Sequence, residues 1–174
     1  MTFGLIRPLR RVPSVLDISL EELWREGYRA IIIDLDNTLV GYRLREPAAE
    51  VVAWVRAAQA RGFSLAIVSN NVRAWVRSIA TFLGIVTYVS NALKPLPFGL
   101  FRAVRHLRVS RKEAIVVGDQ VFTDVLGARL LGLAVILTEP ILREHAGMGL
   151  VRWAERRMLG RIAPPSAGPQ EPII

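Results

Sequence analysis

Cysteine is missing from this chain, which excludes disulfides and thiolate metal sites. No apolar run reaches the roughly eighteen residues of a membrane span; the nearest, Leu130 to Leu137, is short and carries Gly132 inside it. The glycine-rich G-x-x-x-x-G-K-[ST] loop is absent too, which excludes a P-loop enzyme. Arg7, Arg10 and Arg11 near the N-terminus are followed by no long apolar core, so a secretory signal is not expected and the cytosol is the expected compartment. Lysine is nearly absent: of 23 basic residues only Lys94 and Lys112 are lysines. Where arginine is chosen almost everywhere, a retained lysine suggests a position that requires a compact ammonium. Asparagine is as scarce, occurring only as Asn37, Asn70, Asn71 and Asn91.

What is present is a chain of 174 residues, enough for one domain with a sizeable core and too short for two ordinary ones. A hydrophobic content of 52% with 22% charged residues fits a globular protein. The net charge of +8 implies anionic partners, whether nucleic acid, anionic lipid or phosphorylated substrates.

Strand and helix patterns alternate along the chain. Ile31-Ile32-Ile33 reads as a strand buried on both faces. A helix from Pro47 to about Arg61 and a strand from Phe63 to Val68 follow, then a helix from Val72 to Leu83 with Trp75, Val76, Ile79 and Phe82 facing inward. A short strand at Val86 to Val89, a Lys94-Pro95-Leu96-Pro97 loop and a helix from Phe98 to Leu107 come next. Strands at Ala114 to Val117 and Ala134 to Leu137 flank a helix at Val125 to Leu131. Ser19 with Glu22 fits a capping box for a short helix ending at Gly27. This alternation predicts an α/β fold, a Rossmann-like three-layer sandwich around a central parallel sheet. Residues 1–162 are expected to form a single domain with a basic N-terminal arm and a C-terminal helix, and residues 163–174, rich in proline, an irregular tail.

Polar residues gather where these strands end. Asp34 and Asp36 leave the Ile31–Ile33 strand in a D-x-D-x-T sequence completed by Thr38, and a period of two would aim both carboxylates the same way. Such a pair should repel unless a cation holds both ionised or one keeps a proton. Ser69 and Asn70 end the next long strand, Lys94 follows the short one, and Gly118-Asp119 with Asp124 ends the fourth. Phosphoryl transfer needs a nucleophile, a proton carrier, a metal and donors for the phosphoryl oxygens. Asp34 is the candidate nucleophile and Asp36 the acid/base. Thr38, Ser69 and Asn70 are the candidate donors and Lys94 the cationic clamp. Asp34, Asp119 and the Asp36 carbonyl are the candidate Mg²⁺ ligands, with Asp124 supporting.

These four segments resemble the motifs of the haloacid dehalogenase-like (HAD) phosphatase superfamily, over roughly Ala30 to Leu137. The finer wording, Asp-Leu-Asp-Asn-Thr-Leu-Val with Val-Ser-Asn-Asn, Lys-Pro and Gly-Asp-Gln-Val-Phe-Thr-Asp-Val, is similar to the YqeG family of subfamily IIIA, itself similar to mitochondrial phosphatidylglycerophosphate phosphatases. The resemblance implies an aspartyl-phosphate on Asp34, protonation of the leaving oxygen by Asp36, and Mg²⁺-assisted hydrolysis. The segments after the first motif and between the second and third are too short for a cap domain, so the site should lie open. An open site suits a phosphate on a large object, with phosphatidylglycerophosphate at a membrane surface as the leading expectation. Arg7 to Arg11 and Arg152 to Arg161 would then give peripheral contact with an anionic membrane at the inner face of the cell membrane. The alternatives are a soluble sugar, nucleotide or protein phosphate as substrate, or a non-enzymatic RNA- or ribosome-associated module; a partner chain could shield an uncapped site.

Overall fold

A computed structural model describes residues 7–41 and 44–142. The expected C-terminal helix, the tail and the start of the basic arm lie outside the described residues. Six strands form one sheet: β1 (Arg10–Val12), β2 (Ala30–Ile33), β3 (Ser64–Val68), β4 (Thr87–Val89), β5 (Ala114–Gly118) and β6 (Ala134–Thr138). They are all parallel and run in the order β1-β6-β5-β2-β3-β4. The chain grows outward from β2 in one direction through β3 and β4, then returns to its other side for β5 and β6. β2 and β5 therefore border the point where strand order reverses, and ligands of open parallel sheets bind in the crevice at the carboxyl ends there.

The middle strands are apolar because helices cover both faces of the sheet. Side chains alternate between the two layers along each strand. Ile31, Ile33, Ile67, Ile115 and Val117 pack on one side with α1 (Leu20–Arg25), α2 (Ala49–Ala60) and α3 (Arg73–Leu83). Ile32, Ala66, Val68, Val116 and Val135 pack on the other with α4 (Phe98–Leu107) and α5 (Leu126–Leu130). Ser19 caps α1 by accepting from the Glu22 amide at 3.2 Å. Gly84, at φ 68°, ends α3 in the left-handed conformation that a glycine adopts at little cost.

Three local expectations change. Arg10–Val12, taken as part of a basic arm, is an edge strand paired with Ile136–Thr138 of β6. Three residues with two arginines among them give no readable alternation, so the register is set by the β6 backbone. Phe82, expected inward, is half exposed, and Leu83 with Ala80 takes the core positions of α3. The helix expected from Val125 begins earlier, as a π-helical turn over Val121–Val125 that runs into α5.

Candidate active site

Register brings the polar strand ends level. Ile33 pairs with Ile67 on one side and Val117 on the other, so Asp34 stands beside Val68 and Gly118, with Ser69 and Asp119 one step further on. The Asp34 amide donates to Val117 O at 2.8 Å, so β2 holds its backbone through the first acid. Asn37, at φ 63°, then turns the chain back, and Asp36 bridges to Val40.

Beneath the mouth lies a buried charge cluster. Lys94 Nζ donates to Asp34 Oδ1 at 2.5 Å and to Asp124 Oδ1 at 2.6 Å, and all three residues are buried. Asp119 is buried next to them, and carboxylate oxygens of Asp34, Asp119 and Asp124 lie within 4.8 Å of one another. Burial pushes the Asp34 carboxyl up to about 7; Lys94 opposes that, while Asp124 and then Asp36 add to it. Burial works against the charged form of Lys94 as well, yet Asp124 and Asp34 outweigh it and hold the ammonium above its ordinary value. Three carboxylates against one ammonium leave surplus negative charge on hard oxygen donors, a set that fits a divalent cation.

Two features place Asp124 there. The π-helical turn presents it back toward β5, where the Gln120 amide donates to its Oδ2 at 3.1 Å. Gly118 then leaves room: a Cβ at that position would lie 2.4 Å from Asp124 Cγ. Lys94 is delivered by a loop with Asn91 at φ 46° and Leu93 at φ 56°, followed by a cis Lys94-Pro95 peptide.

The two acids of the first motif do not share a direction of contact. Asp34 turns to Lys94 and Asp124, whereas Asp36 is held by Ser69 Oγ at 3.3 Å, by Asn71 Nδ2 at 3.3 Å and by Trp75 Nε1 at 3.1 Å. Mutual repulsion is accordingly a minor influence on Asp34, behind burial, Lys94 and Asp124. The Asp36 side chain lies outside the three-acid cluster. Asn70 straps the Lys94 backbone, donating to its carbonyl at 3.1 Å and accepting from its amide at 2.7 Å. The Thr38 hydroxyl is buried with no hydrogen-bond partner among the described residues.

Asn71 and Trp75 escaped sequence reasoning. Trp75 sits where an apolar helical face was expected, and its ring does pack on the core. The available signal was position: the first turn of a helix that starts at a strand's carboxyl end lies beside the site. Among the described residues no inserted domain stands over the mouth, since only α3 separates β3 from β4 and a short segment joins β2 to α2. No helix among the described residues is long and apolar enough to cross a membrane.

Comparison with known proteins identifies the family. Residues 41–132 match the family model described as "Hydrolase: haloacid dehalogenase-like hydrolase". "Probable phosphatase YqeG" of Bacillus subtilis (strain 168) is 32% identical over 152 residues, covering 87% of this chain and 88% of that protein. "Phosphatidylglycerophosphate phosphatase 1, chloroplastic/mitochondrial" of Arabidopsis thaliana is 28% identical over 153 residues, covering 79% of this chain and 42% of that protein. Among solved structures, 3-deoxy-D-manno-octulosonate 8-phosphate phosphatase from Moraxella catarrhalis, in complex with magnesium ion, phosphate ion and KDO, superposes with a TM-score of 0.50 at 16% identity. That match covers 82% of this chain and 92% of that one. The chain belongs to the haloacid dehalogenase-like hydrolases and is an enzyme of their phosphatase family. Phosphatases of this family use a divalent metal and a phosphorylated substrate, and that membership displaces the non-enzymatic reading of the basic charge.

Proposed function

We propose that this chain is a Mg²⁺-dependent phosphomonoester hydrolase acting through an aspartyl-phosphate on Asp34, with phosphatidylglycerophosphate as its substrate. The observation that carries the chemistry is the Lys94 ammonium bridging buried Asp34 and Asp124 with Asp119 alongside. The lipid assignment leans on the open mouth and on the likeness to the Arabidopsis protein.

In this reading an Asp34 oxygen attacks phosphorus, the bond from phosphorus to the leaving oxygen breaks, and Asp36 gives that oxygen a proton. Asp36 then takes a proton from water, whose oxygen attacks the acyl phosphate, releasing orthophosphate and restoring Asp34. Lys94 engages Asp34 Oδ1, which leaves the other oxygen for the phosphorus. Asn71 and Trp75 keep Asp36 aimed while its proton moves. Thr38, Asn70 and Ser69 are the proposed donors to the phosphoryl oxygens, Asn70 through the Nδ2 hydrogen that the Lys94 backbone leaves over and Ser69 by turning its single hydroxyl hydrogen from Asp36 to the substrate. Asp34, Asp119, Asp124 and the Asp36 carbonyl would hold Mg²⁺, which when bound supplies charge neutralisation for the carboxylates and the phosphoryl oxygens.

The test is a phosphatase screen with Mg²⁺ or with EDTA, comparing phosphatidylglycerophosphate in mixed vesicles with soluble sugar, nucleotide and peptide phosphates, and Asp34→Asn as the inactive control. Preferred, Mg²⁺-dependent release of phosphate from the lipid supports the proposal. Equal or better turnover of a soluble phosphate overturns the substrate, and full activity of Asp34→Asn overturns the mechanism.

A further inference from the structure

The β3–β4 side of the mouth combines two features that the catalytic reading leaves unused. Large apolar side chains stand in solvent at its tips: Val72 is 59% exposed, Leu93 66% and Phe98 67%, with Leu96 half exposed beside them. The loops that carry them are tied together, the Asn91 amide donating to Asn71 O and the Ala92 amide to Ser69 O, each at 3.0 Å. Leu93 holds its exposed side chain from a left-handed backbone, which a branched residue adopts only against a steric cost. A strained, outward-facing leucine is a poor choice for a loop with no partner.

The second feature is charge. No aspartate or glutamate occurs between Glu50 and Glu113, a segment that supplies β3, α3, β4 and α4. Two exposed arginines flank the edge where the helices leave it for opposite faces of the sheet, Arg73 at the start of α3 and Arg102 one turn into α4. Arg73 opens α3, and neither α3 nor α4 has an acidic residue in its first turn. Helices that follow parallel strands start at the strands' carboxyl ends, so both positive dipole ends point to the mouth and add to the arginines.

We propose that this edge, with Val72, Leu93, Leu96 and Phe98 at its tips, Arg73 at the start of α3 and Arg102 one turn into α4, docks on an anionic phospholipid bilayer. The inference deepens the lipid-phosphate reading and rests on it: the tips enter the headgroup boundary, the arginines meet lipid phosphates, and the open mouth is held where a phosphorylated headgroup can reach Asp34. The observations favour this occupant over two others. A second copy seated symmetrically on the same patch would oppose arginine to arginine with no carboxylate between them. Single-stranded RNA calls for aromatic platforms, whereas three of the four tips are aliphatic.

The experiment is flotation of the full chain with phosphatidylcholine vesicles, with and without phosphatidylglycerol, run beside hydrolysis of p-nitrophenyl phosphate. Binding that requires phosphatidylglycerol is expected, weakened roughly fivefold for each of Arg73→Gln and Arg102→Gln. Leu93→Asn, which tolerates the left-handed backbone, combined with Phe98→Ser should lower it further, and Arg25→Glu on distant α1 should leave it unchanged. The two arginine variants are expected to keep p-nitrophenyl phosphate turnover. Absent vesicle binding with intact turnover overturns docking and leaves the phosphatase reading standing, whereas retained binding without turnover of any phosphate overturns that reading alone. An equal loss in Arg25→Glu, salt-dependent binding of RNA in place of vesicles, or a dimer broken by Phe98→Ser each overturns the assignment of this edge to lipid.

Discussion

The indole N–H of Trp75 lies 3.1 Å from Asp36 Oδ1, so a tryptophan packed on the hydrophobic core also fixes the orientation of the proposed proton carrier. Trp75→Phe keeps most of the packed ring and removes only this donor. A hydrogen bond to a charged group is worth about 1.5–3 kcal/mol, so kcat on a soluble phosphate is expected to fall roughly tenfold or more with KM little changed. Steady-state kinetics check this; a rise in KM at constant kcat would show that the indole serves binding instead.

Asp34 titrates high because it is buried, with its carboxyl at about 7 against an ordinary 3.8. Between those values the folded metal-free chain holds a proton that the unfolded chain has lost. The stability this contributes is full below about pH 4 and is lost as pH rises to about 7. Melting wild type against Asp34→Asn in EDTA, from about pH 5 to about pH 8, should therefore show the wild type losing ground as pH rises. Because a metal needs the ionised form, Mg²⁺ affinity should climb toward tenfold per pH unit below about 7 and level off above it. Calorimetric titration reads this directly.

Lys94→Met leaves Asp34 and Asp124 buried without their shared cation. Removing one member of a buried ionic cluster costs about 3–5 kcal/mol, and part of that loss should return when Mg²⁺ is added. Urea unfolding with and without the metal measures both parts.

Gly118→Ala should be damaging for a purely spatial reason, since the new methyl would sit 2.4 Å from Asp124 Cγ. Overpacking of this kind costs about 1–3 kcal/mol. The displaced carboxylate should also weaken Mg²⁺ binding by tenfold or more, as disturbed metal-site geometry commonly does. Thermal melts paired with calorimetric metal titration distinguish the two effects.

Much of this organisation was legible in the chain. Ile31–Ile33 announced a central strand because a run of three branched apolar residues is buried on both faces, and Phe98–Leu107 is a helix over the bounds expected for it. The meeting of Asp34, Lys94, Asp119 and Asp124 followed from placing each at a strand end of one parallel sheet. What the sequence could not reveal was direction. The Asp34 and Asp36 side chains part company because the chain leaves extended geometry at once and turns at Asn37, whose positive φ no pattern of two can encode. Asn70 read as a phosphate donor because its type allows it, and its second task could not be read: one Nδ2 hydrogen and Oδ1 hold the Lys94 backbone, a partner 24 residues away. Trp75 was hidden for the opposite reason: its bulk satisfied the helix pattern and masked its single polar atom.

The short edge strand has a consequence for handling the chain. Arg10–Val12 covers the outer flank of β6 through parallel pairing, the Leu9 amide adds a bond to Val135 O at 2.7 Å, and Arg10 ties the strand to α1 through Glu22 and Glu26. A protein trimmed to begin at Pro13 would bare an unpaired row of amides and carbonyls along Ile136 and Leu137, a ready template for strands from neighbouring molecules. Its first symptom would be loss of soluble yield rather than loss of catalysis, because the charge cluster lies at the ends of other strands.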